Sequence, residues 1–284
     1  MNFKKTKLKH ILINIFCIGL IFFALKAGFS YYDTQRELRL AKETAEIYES
    51  TKAEEIPLPT PSRAPDLPKP AISETPAPDQ TPKPREYVVR PEFEALRAQY
   101  DNEHIIGFLT IEGTSISYPV LQYEDNDFYL SRDINKKNNQ NGSIFLDYEN
   151  DIKSDDMNTI IYGHNMNSDI MFHSIRNYKD PLFWENHKYV QFNTLYDDMI
   201  FEIFSFYTPN ESFPYIYANY EEHVFNNLLT KIDEMEHYDT GINVNAEDRI
   251  IHLSTCTNVT DDTRMAIVGR LIEINGEKIH TISQ

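Results

Sequence analysis

Residues 249–274, RIIHLSTCTNVTDDTRMAIVGRLIEI, contain two runs of aliphatic and β-branched residues on either side of a polar segment. The first run ends at Cys256 and the second begins at Arg264, with only residues 257–263 between them. This arrangement is typical of two strands that pair as an antiparallel hairpin. At the loop of such a hairpin, cross-strand neighbours have Cβ atoms roughly 5 Å apart. We therefore predict that Cys256 and Arg264 lie side by side.

Six similar runs of strand-forming residues occur earlier in the chain, separated by turn-forming pairs such as Asn141-Gly142. They cover residues 105–111, 116–121, 142–147, 158–164, 188–195 and 199–208. Eight short strands with few helices between them predict a closed β-barrel or a β-sandwich. Two segments have the apolar spacing of helices instead, namely residues 91–101 and 220–235. The apolar stripe predicted for the second helix is Val224, Leu228, Leu229 and Ile232.

The composition excludes several classes of protein. The chain has 284 residues, a formal net charge of −17 and a sequence pI of about 4.9. Nucleic-acid binding requires clustered Lys and Arg, so this balance argues against a general nucleic-acid partner. There are two cysteines, and Cys17 lies in an apolar N-terminal run far from Cys256, which excludes a disulfide framework.

The sequence offers no motif for a metal or a cofactor. One available cysteine and scattered histidines, without Cys-x-x-Cys or His-x-x-x-His spacing, make a poor zinc site. The acidic runs at 147–158 and 261–264 lack the order of oxygen ligands of a calcium-binding loop, and we interpret them as solvated loops. No glycine-rich phosphate-binding motif is present either. We therefore predict neither a metal nor a cofactor.

The N-terminus has the pattern of a membrane anchor. Residues 3–10 are basic and residues 11–25 are almost wholly apolar, so we predict an uncleaved single-pass anchor in the cell membrane, with a cleaved signal peptide as the alternative. The basic flank would stay in the cytoplasm and the remainder would lie outside. The predicted division is residues 1–30 for flank and anchor, 31–56 for a charged juxtamembrane helix, 57–85 for a proline-rich stalk and 86–284 for the folded domain.

The two segments after the anchor are interpreted as spacers. Residues 33–55 are charged and rich in helix formers, which is typical of a solvated helix. From Pro57 to Pro84 there are ten prolines in 28 residues. Proline removes hydrogen-bond donors, so this stretch cannot form a packed core and favours an extended conformation. At about 3.1 Å per residue it could reach on the order of 90 Å.

Cys256 could carry chemistry, although a lone cysteine is more often a small buried apolar residue. A nucleophilic thiol needs a nearby base or a lowered pKa. His164 is the last residue of a predicted strand, and Arg264 is the first residue of another. Side chains at strand ends can reach the rim of a sheet or barrel. Among the nine histidines of the chain, His252 is the nearest to Cys256 in sequence. It lies four residues earlier on the same strand, about 13 Å away, which is too far for direct proton transfer.

Three motifs closely resemble the signature of the sortase family: IIYGHNM at 160–166, HLSTCT at 252–257 and DTRMAIVGRL at 262–271. The stretches at 101–130 and 142–150 are similar to class B sortases, and the resemblance covers about residues 91–274. It implies an eight-stranded β-barrel, mostly β, with an N-terminal helix and a helix in the insertion before the cysteine strand. Two positions depart from the family pattern: His252 stands where Thr is common, and Asn258 where some members have an acid.

The resemblance also implies an activity. Sortases are membrane-anchored cysteine transpeptidases of Gram-positive bacteria that act on the C-terminal sorting signal of surface proteins. Cys256 would attack a Thr carbonyl, His164 would transfer protons and Arg264 would bind the oxyanion. An amine of a peptidoglycan precursor or of a pilin would then accept the acyl group. Class B implies an Asn-Pro-type signal.

By family position, the candidate substrate-binding residues are Asn126, Leu130, Tyr162, Tyr215, Ile216, Ser254 and Thr255. Ordinary core packing is the alternative interpretation of Leu130 and Tyr162. For the whole protein, the alternatives are a cysteine hydrolase that releases its product to water and a non-enzymatic adhesin on a stalk.

Overall fold

The computed structural model describes residues 2–52, 85–166, 168–210, 213–256 and 264–279. The side chains of residues 2–14 and of Cys256 lie outside that description. The proline-rich run from Pro57 to Pro84 also lies outside the described residues, as does the loop 257–263, which contains Asn258.

Eight strands form a closed barrel. They are β1 (Ile105–Thr110), β2 (Ser117–Leu121), β3 (Phe145–Leu146), β4 (Asn158–His164), β5 (Tyr189–Thr194), β6 (Asp198–Tyr207), β7 (Ile250–Cys256) and β8 (Ala266–Ile274). The order around the sheet is β6-β5-β1-β2-β3-β4-β7-β8, and β6 also pairs with β8, which closes the ring. A ninth strand, β9 (Glu277–Lys278), extends β8 as a short hairpin. The predicted barrel is confirmed, and the sandwich alternative is excluded.

Successive side chains of the strands point alternately into and out of the barrel, and their apolar members form one interior core and two clusters on the outer face. On β7, Ile251 and Leu253 belong to the interior core, whereas Ile250 packs outward against the helix-bearing insertion. On β4, Ile161 faces the interior and Ile160 faces an outer cluster on the other side of the wall. Since successive side chains of a strand point to opposite faces, even-numbered residues of β4 and β7 project from the outer surface of the barrel.

Both predicted helices of the folded domain are present, as α2 (Pro91–Tyr100) and α4 (Glu222–Met235), and a short helix α3 (Pro181–Asn186) precedes β5. The apolar stripe of α4 differs from the prediction at one position. Val224 is 41% exposed, and Phe225 is fully buried in its place. Phe225, with Leu228, Leu229 and Ile232, forms the i, i+3, i+4, i+7 series that lies on a single helix face.

The N-terminal helix α1 (Asn2–Lys52) is continuous, and its second half packs on the barrel. Glu37, Thr44 and Tyr48 are buried there. The Tyr48 ring stacks on Phe108 with ring centroids 4.3 Å apart, and its hydroxyl accepts a hydrogen bond from Asn193 Nδ2 at 2.8 Å. The interpretation of residues 33–55 as a solvated helix therefore describes only the outward side of α1.

The described residues on both sides of the proline-rich run contact the same part of the barrel. Before the run, Tyr48 hydrogen-bonds to Asn193 near the end of β5. After it, the guanidinium of Arg85 binds the Asp197 carboxylate at 2.5 Å and the Tyr196 carbonyl at 3.2 Å. The chain thus leaves α1 and returns to the domain at one turn, between β5 and β6.

Candidate active site

The ends of β4 and β7 bring His164 and Cys256 together. The two strands are parallel neighbours, in register from Asn158 opposite Ile250 to His164 opposite Cys256. Adjacent strands lie about 4.8 Å apart, and the side chain of His164 is on the outer face of β4. Two motifs almost a hundred residues apart in sequence therefore end side by side on the outer surface of the barrel.

The hairpin of β7 and β8 brings Arg264 to the same place. These strands are antiparallel, with Ile250 opposite Arg270 and Ser254 opposite Ala266. One step further, the Thr255 amide donates to the Met265 carbonyl at 2.9 Å. The next step of this register places Arg264 opposite Cys256.

The second arginine of the hairpin lies at the far end of the strands. Arg270 pairs with Glu202, Nη2 to Oε2, at 3.3 Å, and donates to the Asn243 carbonyl at 2.8 Å. The amide of Arg264, by contrast, donates to the Pro209 carbonyl at 2.8 Å, which ties the start of β8 to the segment after β6. Only Arg264 is at the end of the hairpin where Cys256 lies.

The protonation of His164 is set by its hydrogen bond to the Leu130 carbonyl. The side chain is 6% exposed, and Nε2 lies 2.7 Å from that oxygen. Because a carbonyl can only accept, Nε2 must carry a proton, and in neutral imidazole Nδ1 then has a free lone pair. Nδ1 is buried and, among the side chains that the structure describes, none hydrogen-bonds to it. In this tautomer, His164 Nδ1 can accept a proton from a neighbouring side chain.

Two glycines permit this placement of His164. A Cβ on Gly163 would lie 2.4 Å from Ile144 Cδ1 and 2.8 Å from the Phe172 ring, so β4 can pack this closely only without a side chain there. Gly142 has a φ of +59°, and a Cβ on it would lie 2.6 Å from the Leu130 carbonyl oxygen. The sequence marks Gly142 as a turn former, but its contact with the acceptor of His164 comes from the structure alone.

A buried carboxylate, Asp147, organises one side of the groove next to His164. Its Oδ2 accepts hydrogen bonds from the Tyr162 hydroxyl at 2.9 Å and from Asn126 Nδ2 at 2.8 Å. Tyr162 lies two residues before His164 on the same face of β4. Asn126 and Tyr162 thus share the Asp147 carboxylate, and Leu130 contacts the imidazole of His164 through its carbonyl. Asp147 itself was not among the predicted site residues.

The opposite side of the groove is formed by the segment between β6 and α4. The Tyr215 hydroxyl lies 2.6 Å from Ser254 Oγ, and Ser254 is paired with Tyr162 across β4 and β7. Tyr215 is buried, and Ile216 beside it is 44% exposed. Thr255 is the exception, because its side chain has the opposite parity, is buried and interacts with Met265 of β8. Of the other predicted binding residues, Leu130 contacts His164, Tyr162 and Ser254 are paired across β4 and β7, and Tyr215 is bonded to Ser254.

His252, the rival histidine, is a structural residue. It is fully buried, and its Nδ1 lies 2.7 Å from Asn158 Oδ1. Asn158 Nδ2 donates to the carbonyls of Tyr215 and Tyr217, so Oδ1 is the acceptor and His252 Nδ1 the donor. His252 Nε2 then accepts from the Tyr207 hydroxyl at 3.1 Å. Burial lowers the pKa of His252 to about 3, and with both nitrogens bonded it has none left for proton transfer.

This lowered pKa predicts a pH-dependent stability. The unfolded chain binds a proton at His252 below pH of about 6.5, whereas the folded chain does not until about pH 3. The contribution of His252 to stability is therefore fully present above the unfolded pKa and falls by about 1.4 kcal/mol per pH unit as the pH drops below it. We expect the thermal midpoint of the full chain to fall more steeply between pH 7 and pH 4 than that of His252→Gln, which keeps a donor and an acceptor. Equal slopes would contradict the assignment of a neutral, buried His252.

Among the residues that the structure describes, no group of three or more His, Cys, Asp or Glu side chains could hold a metal ion.

Comparison with known proteins identifies similar chains. The sequence matches the sortase domain over residues 109–272. It is 33% identical over 190 residues to Sortase B of Staphylococcus aureus (strain NCTC 8325 / PS 47), covering 66% of this chain and 77% of that one. It is 38% identical over 174 residues to Sortase B of Listeria monocytogenes serovar 1/2a (strain ATCC BAA-679 / EGD-e), covering 60% and 71%. The crystal structure of sortase B from B. anthracis in complex with AAEK1 superposes with a TM-score of 0.67 at 31% identity, over 85% of this chain and 98% of that one.

Proposed function

Because this chain belongs to the sortase family and to its class B, it is a cysteine transpeptidase that acts on surface proteins, and we propose that Cys256, His164 and Arg264 carry its reaction. The observation that carries the proposal is the alignment of these residues at one end of β4, β7 and β8, with the His164 proton held on Nε2 by the Leu130 carbonyl.

In the first half of the reaction, the Cys256 thiol gives its proton to His164 Nδ1 and its sulfur attacks the carbonyl carbon of the scissile peptide bond. The guanidinium of Arg264 stabilises the negative charge that develops on the carbonyl oxygen. The carbon–nitrogen bond breaks as His164 Nδ1 returns the proton to the departing amine. A thioester between Cys256 and the substrate remains.

In the second half, an amine enters on the side of the departed product. It attacks the thioester carbonyl and gives one proton to His164 Nδ1, while Arg264 again stabilises the oxyanion. The carbon–sulfur bond breaks, and the sulfur recovers its proton from His164. The net result is a new amide bond, and the acceptor is an amine of a peptidoglycan precursor or of a pilin.

The groove beside this centre would select the sorting signal. We propose that Asn126, Tyr162, Tyr215 and Ser254 offer hydrogen bonds to the polar parts of the peptide, while Leu130 and the exposed Ile216 contact its apolar parts. The Thr255 side chain contributes through the β7–β8 pairing rather than by touching the peptide. An Asn-Pro-type signal suits a groove with this many amide and hydroxyl groups.

We propose further that α1 anchors the enzyme in the cell membrane. The helix contains a stretch long and apolar enough to span a bilayer, with none of that stretch buried in the protein. Basic residues precede the apolar run, which favours a cytoplasmic N-terminus and an extracellular catalytic domain. In this division residues 1–30 are flank and anchor, 31–56 the juxtamembrane helix, 57–85 the proline-rich stalk and 86–284 the catalytic domain. Because Tyr48 and Arg85 both contact the domain, the stalk does not set the distance between the anchor and the barrel.

Product analysis tests transpeptidation against hydrolysis. The full chain in detergent micelles is incubated with Asn-Pro-type and Leu-Pro-type peptides, with and without an excess of a glycine or diaminopimelate-type amine. We expect cleavage of the Asn-Pro-type peptide and, with amine, a product whose mass contains the acceptor, because the amine outcompetes water for the thioester.

Three outcomes would overturn parts of the proposal. Release of the free acid alone, at any amine concentration, would indicate a hydrolase. If a Cys256→Ala variant cleaved the peptide as fast as the wild type, Cys256 would not be the nucleophile. A wild-type Cys256 that neither reacts with a peptide vinyl sulfone nor cleaves any peptide would favour the adhesin.

A further inference from the structure

One side of α1 contacts both loops that flank His164 in space. The Thr34 hydroxyl donates to Ser168 Oγ at 3.3 Å, in the segment that follows β4. The next residues along the helix contact the segment 129–143, which contains the Leu130 carbonyl. Arg36 pairs with Asp133, and Glu37 Oε1 accepts a hydrogen bond from Asn139 Nδ2 at 2.7 Å.

In both contacts with the 129–143 segment the carboxylate is buried, although the Arg36 side chain is 38% exposed. The Glu37 and Asp133 residues are 4% and 1% exposed, respectively. The Asp133 carboxylate also accepts from the amides of Asn135 at 3.0 Å and Lys137 at 2.9 Å, so the Arg36 pair closes a turn that is already ordered. Hydrogen bonds to charged groups in such surroundings are among the stronger ones in proteins.

A short series of bonds connects Glu37 to the imidazole of His164. The amide of Asn139 donates to the Ser131 carbonyl at 3.0 Å, directly beside Leu130. The amide of Gly142, which packs against the Leu130 carbonyl, donates to the Asn139 carbonyl at 3.1 Å. Asn139 thus holds the chain on both sides of the oxygen that accepts from His164 Nε2, and Glu37 holds the side chain of Asn139.

We propose that α1 is part of the catalytic apparatus and that Glu37 is a positioning residue for His164. Glu37 fixes Asn139, Asn139 fixes the Leu130 carbonyl, and that carbonyl keeps the imidazole proton on Nε2 so that Nδ1 faces the reaction. This inference rests on the proposed role of His164 as the proton carrier. It also means that the helix next to the membrane does more than hold the domain in place.

The consequence of losing this support is specific. Without a fixed acceptor on Nε2, the neutral imidazole distributes its proton over both nitrogens, and the ring can turn. Only the fraction with a free Nδ1 in the correct orientation accepts the thiol proton, so kcat falls. The groove residues Asn126, Tyr162 and Tyr215 are held by Asp147 and Ser254 instead. Of the proposed peptide contacts only that of Leu130 can weaken, so KM changes much less than kcat.

The test uses the full chain in detergent micelles, with the peptide and amine of the activity assay. Glu37→Leu is expected to lower kcat about tenfold with KM changed less than twofold, since a misplaced catalytic group costs rate. Glu37→Gln keeps an acceptor oxygen for Asn139 and is expected to stay within twofold of the wild type. Glu46→Leu, at an exposed position of the same helix, is the matched control and should leave both constants unchanged.

If Glu37→Leu disturbs the helix, the proposal can still be tested by exchanging the carboxylate and the amide between Glu37 and Asn139. Asn139→Asp places two carboxylates against each other and should lower kcat. Combining it with Glu37→Gln restores a donor facing an acceptor, and kcat should recover. The proposal is overturned if Glu37→Leu leaves kcat unchanged, if Glu37→Gln loses as much as Glu37→Leu, or if the swap does not recover.

The tautomer of His164 can be read without turnover. In ¹⁵N-histidine spectra, with His164→Gln used for assignment, we expect an Nε2-protonated ring in the wild type and a mixture of tautomers in Glu37→Leu. An unchanged tautomer in Glu37→Leu would contradict the positioning role. Because this readout requires no reaction, it separates a failure of the positioning inference from a failure of the proposed function.

Discussion

Replacing His164 by alanine is expected to lower kcat/KM by at least about 10³-fold, because the same imidazole accepts the thiol proton and protonates the departing amine. The fold should survive, since the main structural loss is one hydrogen bond to the Leu130 carbonyl, worth about 1 kcal/mol. A loss of this size shifts the thermal midpoint by only a few degrees in a domain of this length. Steady-state kinetics and thermal denaturation of the same sample measure both effects.

Two further variants make the His164 result specific. His164→Gln keeps an N–H group that can donate to Leu130 but cannot carry the proton, so its activity should fall as far as that of His164→Ala. His252→Gln should retain at least a third of the wild-type kcat, because both nitrogens of His252 serve structural bonds. An active His164→Ala beside an inactive, folded His252→Gln would mean that His252 is the catalytic histidine.

Replacing Arg264 by alanine is expected to lower kcat/KM by at least a hundredfold, since removal of one oxyanion donor costs on the order of 10²–10³-fold. The register of β7 and β8, continued from the Ser254–Ala266 pair, brings the backbone of Arg264 opposite that of Cys256, which we propose as the nucleophile. Arg264→Lys should also lose much of the activity, because a point charge cannot reproduce the planar fork of donors. The same peptide cleavage assay measures both variants.

Arg270 is the matched control for Arg264, because it lies on the same strand with the same parity. It is opposite Ile250, about 20 Å from the cysteine end of the hairpin. Arg270→Ala breaks the pair with Glu202 and should lower kcat/KM less than tenfold. If Arg270→Ala were inactive while Arg264→Ala remained active, the assigned roles of the two arginines would have to be exchanged.

The local pattern predicted the strands, and the family resemblance decided between a barrel and a sandwich. All eight runs of strand-forming residues became strands, and the β7–β8 hairpin has the register that the seven-residue loop predicted. The largest difference is β3, which spans only Phe145–Leu146 of the predicted 142–147. Gly142 has a positive φ, and the Ser143 amide donates to the Tyr129 carbonyl, so the first part of this run turns against a loop instead of pairing in the sheet.

The packing of α1 could not be predicted from apolar periodicity. Its buried side includes Glu37 and Thr44, and each is satisfied by a partner that only the tertiary structure supplies or by the helix backbone itself. A search for apolar stripes therefore classifies this helix as solvated. Tyr48 is the one fully buried apolar residue of this half of the helix, and the other apolar residues that pack on the barrel, such as Leu40 and Ile47, are only partly buried.

The polar network behind the groove was equally invisible in the sequence. Asp147 and Asn158 look like ordinary residues near strand ends, yet one binds Tyr162 and Asn126, and the other binds His252 and the carbonyl of Tyr215. Their partners are distant in sequence, so no spacing rule finds them. In the sequence, His252 was a rejected candidate base and a departure from the family pattern, and the structure shows that it is a buried structural residue.

The docking of α1 also sets the height at which the enzyme works. The helix is unbroken, so the nine residues from Leu25, at the end of the apolar run, to Thr34 rise only about 14 Å along its axis. Thr34 contacts Ser168, four residues beyond His164. With the proposed anchor in the bilayer, the catalytic end of the barrel stays within roughly this distance of the lipid surface, and bending of a linker cannot lift it away. Peptide bonds held near the membrane, in proteins that are still inserted in it, are therefore the ones within reach.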